Sequence, residues 1–272
     1  MSKIAFIGVG NMASAIIFGI TSSDTPVLWE DIILFDKFTA QYDKFGDKPY
    51  VTAESAKQAA ELADCVILAT KPQNFPEVLS ELSDVPDIEK KLIITIAAGI
   101  TTETVSRALG GARVVRVLPN TPMLIGMGVT AACRNCLVSD EDFEYAISLF
   151  RPSGSVTVID ESEMNRIISV TSSSPAYVFG FIKAICDGAT AQGLDGEALT
   201  ACVCDMVIGS ATLMKKSYLE SGKTADQQIS TVASKGGTTE RAMASLAADG
   251  FDDMIRRAMQ ACTDRADELS RG

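Results

Sequence analysis

Short apolar runs alternate with helical stretches along the first 160 residues of the chain. The runs are rich in Ile and Val and apolar on both faces, which is typical of parallel strands covered by helices on both sides. They are KIAFIG, DIILFD, DCVILAT, KLIITIAA, ARVVRVLP and SVTVID. Between them, stretches such as 52–63 and 101–110 have helical spacing. The pattern predicts a doubly wound α/β sheet over residues 1–160.

From residue 161 onward the apolar positions recur only at helical spacing, and no strand pattern remains. The helical stretches are 163–191, 195–220, 224–233, 238–248 and 251–270. We therefore predict an all-helical second domain over residues 161–272. The stretch 195–220 is apolar around most of its circumference. We expect it to be buried, either against a second subunit or in the core of a monomer.

Composition narrows the classes of partner. Hydrophobic residues make up 47% of the 272 residues and charged residues 22%, as in ordinary globular proteins. The formal net charge is −11, so we expect no nucleic-acid partner, since such partners require basic patches. No apolar run reaches the ~20 residues of a membrane span, so we expect no membrane partner.

The cysteines and the missing histidines limit the chemistry. Seven scattered cysteines, an odd number, favour reduced thiols and a cytoplasmic location. Cys133 and Cys136 form a single C-x-x-C pair without a second pair, so we expect no metal site. The chain has no histidine, which removes the commonest general acid or base. Any catalysis must therefore proceed without imidazole.

A glycine-rich motif follows the first predicted strand and opens a predicted helix. In this motif Gly8 permits a tight turn, Gly10 leaves room for a pyrophosphate, and Ala13 allows close packing of helix and strand. Asp36 ends the second predicted strand, near the spacing of ~20 residues expected for a ribose-binding acid. The motif predicts a dinucleotide site, with a tight turn alone as the alternative. Asp36 favours NAD and the adjacent Lys37 favours NADP, and the sequence leaves both open.

Two loops follow other predicted strands at the edge of the sheet where ligands bind. Lys71 and Pro72 follow the strand DCVILAT, and the proline restricts the backbone before it to extended shapes. Asn120 and Thr121 lie between two prolines and form a stiff polar loop. The first loop can lie along a cofactor and the second can form a wall of a nicotinamide pocket. An ordinary surface turn is the alternative for each.

The segment SKGGTTERAMASL, residues 234–246, has a different signature. Gly236 and Gly237 precede a predicted helix that begins at Thr238 and Thr239. Such a helix N-terminus has free N–H groups that can bind a carboxylate. The threonine hydroxyls can donate to a substrate or, as the alternative, cap the helix.

Taken in order, six segments make the whole chain resemble the pyrroline-5-carboxylate reductase family, whose reaction is the last step of proline biosynthesis. They are FIGVGNMASAI, ILATKPQ, ITIAAGI, VLPNTPMLIGMG, SSSPAYVFGFIKAICDGA and ASKGGTTERA. The resemblance implies an N-terminal Rossmann domain, a helical dimerisation domain, and dimers that can assemble into decamers. It also implies hydride transfer from NADPH or NADH, with NADP preferred, to the C=N bond of a cyclic imino acid, giving L-proline.

The resemblance also assigns residues to roles. The backbone of Gly237, Thr238 and Thr239 would hold the substrate carboxylate, and the Thr239 hydroxyl would contact the ring nitrogen. The positions implied for the cofactor are Gly8, Gly10, Asn11 and Met12 at the pyrophosphate, Ala69, Thr70, Lys71 and Pro72 along its length, and Ala97 and Asn120 nearby. Since an imine can be protonated by solvent, the family chemistry explains the missing histidine. We expect Thr239 to orient the substrate and not to titrate.

The chain departs from the family pattern at three places. Lys235 stands where the family usually has proline, Ser55 and Ala56 where it often has asparagine, and residues 172–174 are all serine where glycine is common. Two alternatives therefore remain at this stage. One is a β-hydroxyacid dehydrogenase-like reductase with Lys183 as the acid. The other is a non-catalytic nucleotide-sensing protein, which Lys235 and Ala56 would favour.

Overall fold

The computed structural model describes residues 3–271, and the side chain of residue 271 is not included. The chain forms two compact units. The first comprises Met1–Pro175 and Ala261–Gly272, and the second comprises Ala176–Gln260. These units divide the chain after Pro175 and after Gln260, so they are not the two predicted domains. The predicted domain boundary between residues 160 and 161 stays a prediction.

One eight-stranded sheet forms the centre of the first unit. Its strands are β1 (Ile4–Ile7), β2 (Ile32–Phe35), β3 (Val51–Thr52), β4 (Cys65–Leu68), β5 (Leu92–Thr95), β6 (Arg113–Leu118), β7 (Gly128–Arg134) and β8 (Gly154–Val158). Their order is β3-β2-β1-β4-β5-β6-β7-β8. Since β1 has β2 on one side and β4 on the other, the strand order reverses there. Such a reversal opens a crevice at the carboxyl ends of the strands.

Helices cover both faces of the sheet, as the apolar runs predict. They are α1 (Asn11–Thr21), α2 (Ala56–Glu61), α3 (Phe75–Leu82), α4 (Thr102–Ala108) and α5 (Asp140–Ser148). Ile4 and Phe6 of β1 join a core with residues of α1 and α5. Their neighbours Ala5 and Ile7 join a second core with residues of α2, α3 and α4. The doubly wound fold class is therefore confirmed.

Four details differ from the prediction. Two strands were not predicted: β3, a two-residue strand whose Thr52 falls in the predicted helix 52–63, and β7, whose sequence GVTAACR consists mostly of small residues. Strand β7 pairs antiparallel with β6 and parallel with β8, so SVTVID is a strand but not parallel to the first six. The predicted helix 52–63 begins only at Ala56, because Ser55 caps it by accepting a hydrogen bond from the Gln58 N–H.

The rest of the chain is helical, as predicted. Its helices are α6 (Met164–Ile167), α7 (Ser174–Ala191), α8 (Leu199–Ser221), α9 (Ala225–Val232), α10 (Thr238–Ala248) and α11 (Phe251–Arg271). A π-helical turn, Ile168–Ser172, separates α6 from α7 and interrupts the predicted stretch 163–191. The last turns of α11 belong to the first unit, where Ala266 is buried against Met164 and Ile168.

The long helix α8 is not the core of a monomer. Within the single chain, Val203 is its one buried residue. Leu213, Tyr218 and Leu219 are 52%, 61% and 72% exposed. Apolar side chains exposed on this scale mark an interaction surface, so the alternative of a monomer core is wrong. Separately, no helix within residues 3–271 is long and apolar enough to cross a membrane.

A polar network joins β6 to α6 and α11 inside the first unit. The fully buried Arg116 lies 3.5 Å from Glu161 and donates a 2.9 Å hydrogen bond to Asn165 Oδ1. Asn165 Nδ2 donates in turn to Asp267 Oδ1 at 2.9 Å. Glu161 also accepts from the Thr102 N–H at the start of α4. Burial lowers the pKa of the Arg116 guanidinium, and the carboxylate of Glu161 opposes that shift.

Candidate functional site

The glycine-rich loop after β1 packs directly against the end of β4. Gly8 has φ +92°, and its N–H donates to the Phe35 carbonyl at 2.8 Å. A Cβ atom at this position would stand 2.9 Å from the backbone of both Ala69 and Thr70. Side chains avoid both that dihedral region and that proximity, so glycine is required here.

The first turn of α1 offers free donors on an open surface. Gly10 is the N-cap residue, no side chain caps the helix, and its first turn contains no acidic residue. A Cβ atom at Gly10 would have no atom within 4 Å. Asn11 is exposed and Met12 is half-buried. A helix N-terminus of this kind attracts anions, and here there is room for one to approach the backbone.

Asp36, at the carboxyl end of β2, is fixed beside this loop. Its Oδ2 accepts a 2.7 Å hydrogen bond from the Val9 N–H and its Oδ1 accepts one of 2.9 Å from the Phe38 N–H. The adjacent Lys37 has a different partner, because its ammonium pairs with Glu77 of α3 at 2.6 Å. The structure thus gives different partners to two side chains that the sequence treats as competing determinants of cofactor choice.

The segment after β4 completes this edge of the sheet. The hydroxyl of Thr70 is buried and has no hydrogen-bond partner among the described residues. Buried polar atoms without partners are rare and call for a ligand or water. Lys71 is exposed with an extended backbone, as Pro72 predicts. Ala97, just after β5, is buried. The open Gly10 and the unpaired Thr70 hydroxyl fit a dinucleotide bound across these strand ends.

Asn120 has a different position from the other predicted cofactor residues. It is buried, and its Nδ2 donates to the Thr171 carbonyl at 2.9 Å while its Oδ1 accepts from the Val129 N–H at 2.8 Å. The amide therefore ties the loop after β6 to β7 and to the π-helical turn. Its contact with a cofactor stays a prediction.

The N-terminus of α10, in the second unit, is also uncapped. Gly236 has φ +75°, and Gly237 is the N-cap residue without a side-chain cap. The interpretation of the threonines as caps is therefore wrong. Thr238 is exposed and Thr239 half-buried. The Gly236 N–H donates to the carboxylate of Glu240 at 2.7 Å.

Sequence reasoning missed two side chains that shape these sites. Glu240 has a local signature, since an acidic residue in the first turn of a helix can turn back toward the N-terminus. Glu77 has none, because its ion pair with Lys37 joins residues 40 positions apart. The Ser55 hydroxyl, at a position where the family often has a ribose-binding asparagine, is engaged as the cap of α2.

Two family models match the chain. Residues 161–269 match a model described as pyrroline-5-carboxylate reductase dimerisation. Residues 3–99 match one described as NADP oxidoreductase, coenzyme F420-dependent. The second match spans the glycine-rich loop, Asp36 and the segment after β4, and the first spans α10.

Relatives match over the full length. The pyrroline-5-carboxylate reductase of Escherichia coli is 37% identical over 99% of this chain and 98% of its own, and that of Haemophilus influenzae is 35% identical over 98% and 97%. The enzyme of Plasmodium falciparum, solved with NADP bound, has a TM-score of 0.88 at 25% identity, covering 99% and 98%. That of Coxiella burnetii has a TM-score of 0.86 at 32% identity with the same coverage. The chain therefore belongs to the pyrroline-5-carboxylate reductase family.

Proposed function

We propose that this protein reduces the C=N bond of 1-pyrroline-5-carboxylate to L-proline with NADH or NADPH, the last step of proline biosynthesis. It is an NAD(P)-dependent oxidoreductase of that family. One observation supports the proposal: at one edge of the sheet, Gly10 is open, Asp36 is fixed beside the glycine-rich loop, and the buried Thr70 hydroxyl has no partner among the described residues. The β-hydroxyacid dehydrogenase alternative loses its support with the family assignment. Its candidate acid, Lys183, is exposed and pairs with Asp187 on its own helix.

Residues of the first unit would hold the cofactor. The free N–H groups at the start of α1 would bind the pyrophosphate, with Gly10 allowing its approach. The Thr70 hydroxyl would gain the partner that it lacks among residues 3–271. When bound, the reduced nicotinamide supplies the hydride. The full set proposed for this role is Gly8, Gly10, Asn11, Met12, Asp36, Lys37, Ala69, Thr70, Lys71, Pro72, Ala97 and Asn120.

Residues of α10 would hold the substrate. We assign the carboxylate to the backbone of Gly237, Thr238 and Thr239, at the positive end of the helix. The Gly237 N–H already donates to the Ser234 carbonyl at 3.0 Å, so the N–H groups of Thr238 and Thr239 would be the main donors. The Glu240 carboxylate accepts from the neighbouring Gly236 N–H and lies beside this proposed site. The Thr239 hydroxyl would hydrogen-bond the ring nitrogen, and Lys235 adds positive charge beside the anion.

The chain needs no strong acid for this reaction. A cyclic imine takes its proton from solvent near neutral pH, and the resulting iminium carbon accepts hydride directly. Catalysis then rests on holding the substrate and the cofactor in a reactive orientation, which alone can supply a large part of the rate. Thr239 accordingly acts by orienting the ring.

The helical half supports a homo-oligomer and the substrate is a small molecule. We propose a dimer formed through the exposed apolar side chains of the helical half, with assembly into a decamer as the finer form. We also propose that the protein works in the cytoplasm. All seven cysteines are free thiols in the chain, which supports a reducing compartment.

An assay of wild type and of Thr239→Ala tests the function. With 1-pyrroline-5-carboxylate, wild type should consume NADH or NADPH. Thr239→Ala should lose roughly 10- to 100-fold in kcat/KM, the worth of one hydrogen bond to a charged group, and keep its cofactor affinity. Ser245→Ala, an exposed hydroxyl on the same helix, is the control. An unchanged kcat/KM in Thr239→Ala would refute the orienting role. Cofactor binding without turnover would favour the nucleotide-sensing alternative.

A further inference from the structure

We propose that Asp36 makes the cofactor site select against a 2′-phosphate, so that the protein binds NADH in preference to NADPH. This inference rests on the proposed use of a nicotinamide dinucleotide. It departs from the preference for NADP that the family resemblance implies. The carboxylate at the end of β2, its neighbours and the cavity beside it carry the argument.

The carboxylate of Asp36 is held in one place. Two backbone N–H groups, from Val9 and Phe38, donate to its two oxygens. The Asp36 N–H donates to the Tyr42 hydroxyl at 2.8 Å, which fixes the backbone as well. Because both donors are N–H groups, the side chain acts purely as an acceptor, as an ionised carboxylate does. It cannot turn away from the site without leaving two amides unpaired.

Such a carboxylate distinguishes the two cofactors by chemistry. Each oxygen has a second lone-pair direction beyond the one that the backbone occupies. A ribose 2′-hydroxyl can donate to it, whereas a 2′-phosphate has a charge of about −2 near neutral pH and is repelled. The binding site for the adenosine ribose lies at this strand end in folds of this type.

The cavity beside Asp36 offers little to offset that repulsion. It has a volume of about 620 Å³ and is lined by Phe35, Asp36, Lys37, Thr39, Tyr42, Thr52, Ala53 and Glu54. Its lining contains two carboxylates, one ammonium group and no guanidinium, the group that accommodates a 2′-phosphate in related folds.

The single ammonium in the lining, that of Lys37, is already paired. It lies 2.6 Å from Glu77, and both side chains are more than half exposed. An exposed pair of this kind is weak, so Lys37 can leave it at little cost. We therefore assign the selectivity mainly to Asp36, and only a small part of it to the pairing of Lys37.

Calorimetric titration of the full-length protein with NADH and with NADPH, without substrate, tests the inference. We expect NADH to bind about tenfold or more tighter, since like charges placed together strongly oppose binding. In Asp36→Ser, NADPH should bind tighter and NADH weaker, which brings the two affinities within about threefold. Glu77→Gln should tighten NADPH alone, by about twofold, by freeing Lys37. Asp43→Asn, an exposed acid of the same segment outside the cavity lining, should leave the ratio unchanged.

Equal or tighter binding of NADPH by wild type would overturn the inference, and so would an unchanged ratio in a folded Asp36→Ser protein. If Asp36→Ser does not fold, competition on wild type replaces it. Adenosine 5′-diphosphate should then displace NADH at a lower concentration than its 2′-phosphorylated counterpart, and the reverse order would contradict the proposal. Failure of imine reduction would not affect these affinities, so the two proposals fail separately.

Discussion

The two units of the chain differ in how they bury their apolar residues. In the first unit, two cores lie on opposite faces of one sheet, and the central strands β1 and β4 between them are fully buried. In the second unit, residues 176–260, Val203 is the single buried hydrophobic residue. The first unit therefore buries its apolar residues within one chain. The second leaves apolar helix faces exposed, and a further subunit must cover them.

The two units also differ at their uncapped helix N-termini. Both α1 and α10 have glycine at the N-cap without a side-chain cap. The start of α1 is free of acidic residues, but Glu240 lies in the first turn of α10 and bonds the loop before it. At the proposed site of the first unit, an anion would therefore meet no internal carboxylate. At the proposed site of the second unit, it would lie beside the Glu240 carboxylate, which already contacts the Gly236 N–H.

A charge placed on the exposed apolar face of α8 should have the largest effect, which is the loss of the oligomer. We expect Leu213→Asp to dissociate the oligomer, because each chain would place a charge in the apolar interface at about 2 kcal/mol or more. Lys215→Asp, an exposed residue that the helical repeat places about 160° around α8 from Leu213, should leave the assembly intact. Sedimentation velocity distinguishes the two. An unchanged mass for Leu213→Asp would contradict the assignment of this face to the interface.

Within the first unit, the buried network around Arg116 should contribute more to the free energy of unfolding than a surface ion pair does. Glu161→Gln leaves the Arg116 guanidinium buried without its counter-charge, so we expect a loss of about 3 kcal/mol in the free energy of unfolding. Arg107→Gln breaks the exposed pair with Glu103 and should change stability by about 0.5 kcal/mol or less. Urea denaturation measures both. Equal losses would mean that Glu161 does not stabilise Arg116.

Two alanine substitutions separate folding from binding in the glycine-rich loop. Gly8→Ala should destabilise the protein by roughly 1–3 kcal/mol. The new Cβ would clash with the backbone just after β4, and alanine disfavours the positive φ of this position. Gly10→Ala should keep the melting temperature, since its Cβ meets open space, and yet lose dinucleotide binding. Thermal melts and NADH titrations check the pair. Undiminished binding by Gly10→Ala would rule out a phosphate at that position.

The smallest effects are those on thiol reactivity. Burial raises the pKa of Cys133 to about 12, so at pH 8 it stays a protonated, unreactive thiol, whereas Cys136 is exposed. Cys202 is exposed in the single chain but lies on α8 near the face of Leu213. We expect alkylation, followed by mass spectrometry, to label Cys136 first and Cys202 only in Leu213→Asp. Equal labelling of Cys202 in wild type would contradict burial of this face between subunits.

Local pattern predicted much of the fold, and contacts between distant segments account for what it missed. Ile- and Val-rich runs and the glycine-rich loop are local features, so six strands and the loop followed from them. The strand β3 has only two residues, β7 lacks β-branched runs, and the shift of α2 depends on one serine cap. The fixing of Asp36 by Val9, the pairing of Lys37 with Glu77 and the network of Arg116 join segments far apart in sequence. Nothing in their local sequence indicates them.

The most direct test of the proposed reaction is a product count. Purified protein would be incubated with 1-pyrroline-5-carboxylate and NADH, with proline measured by chromatography and NADH loss by absorbance. We predict one L-proline for each NADH oxidised, and no product from the folded Gly10→Ala variant. Oxidation of NADH without proline, or tight NADH binding with neither change, would contradict the assignment of this chain as an imine reductase.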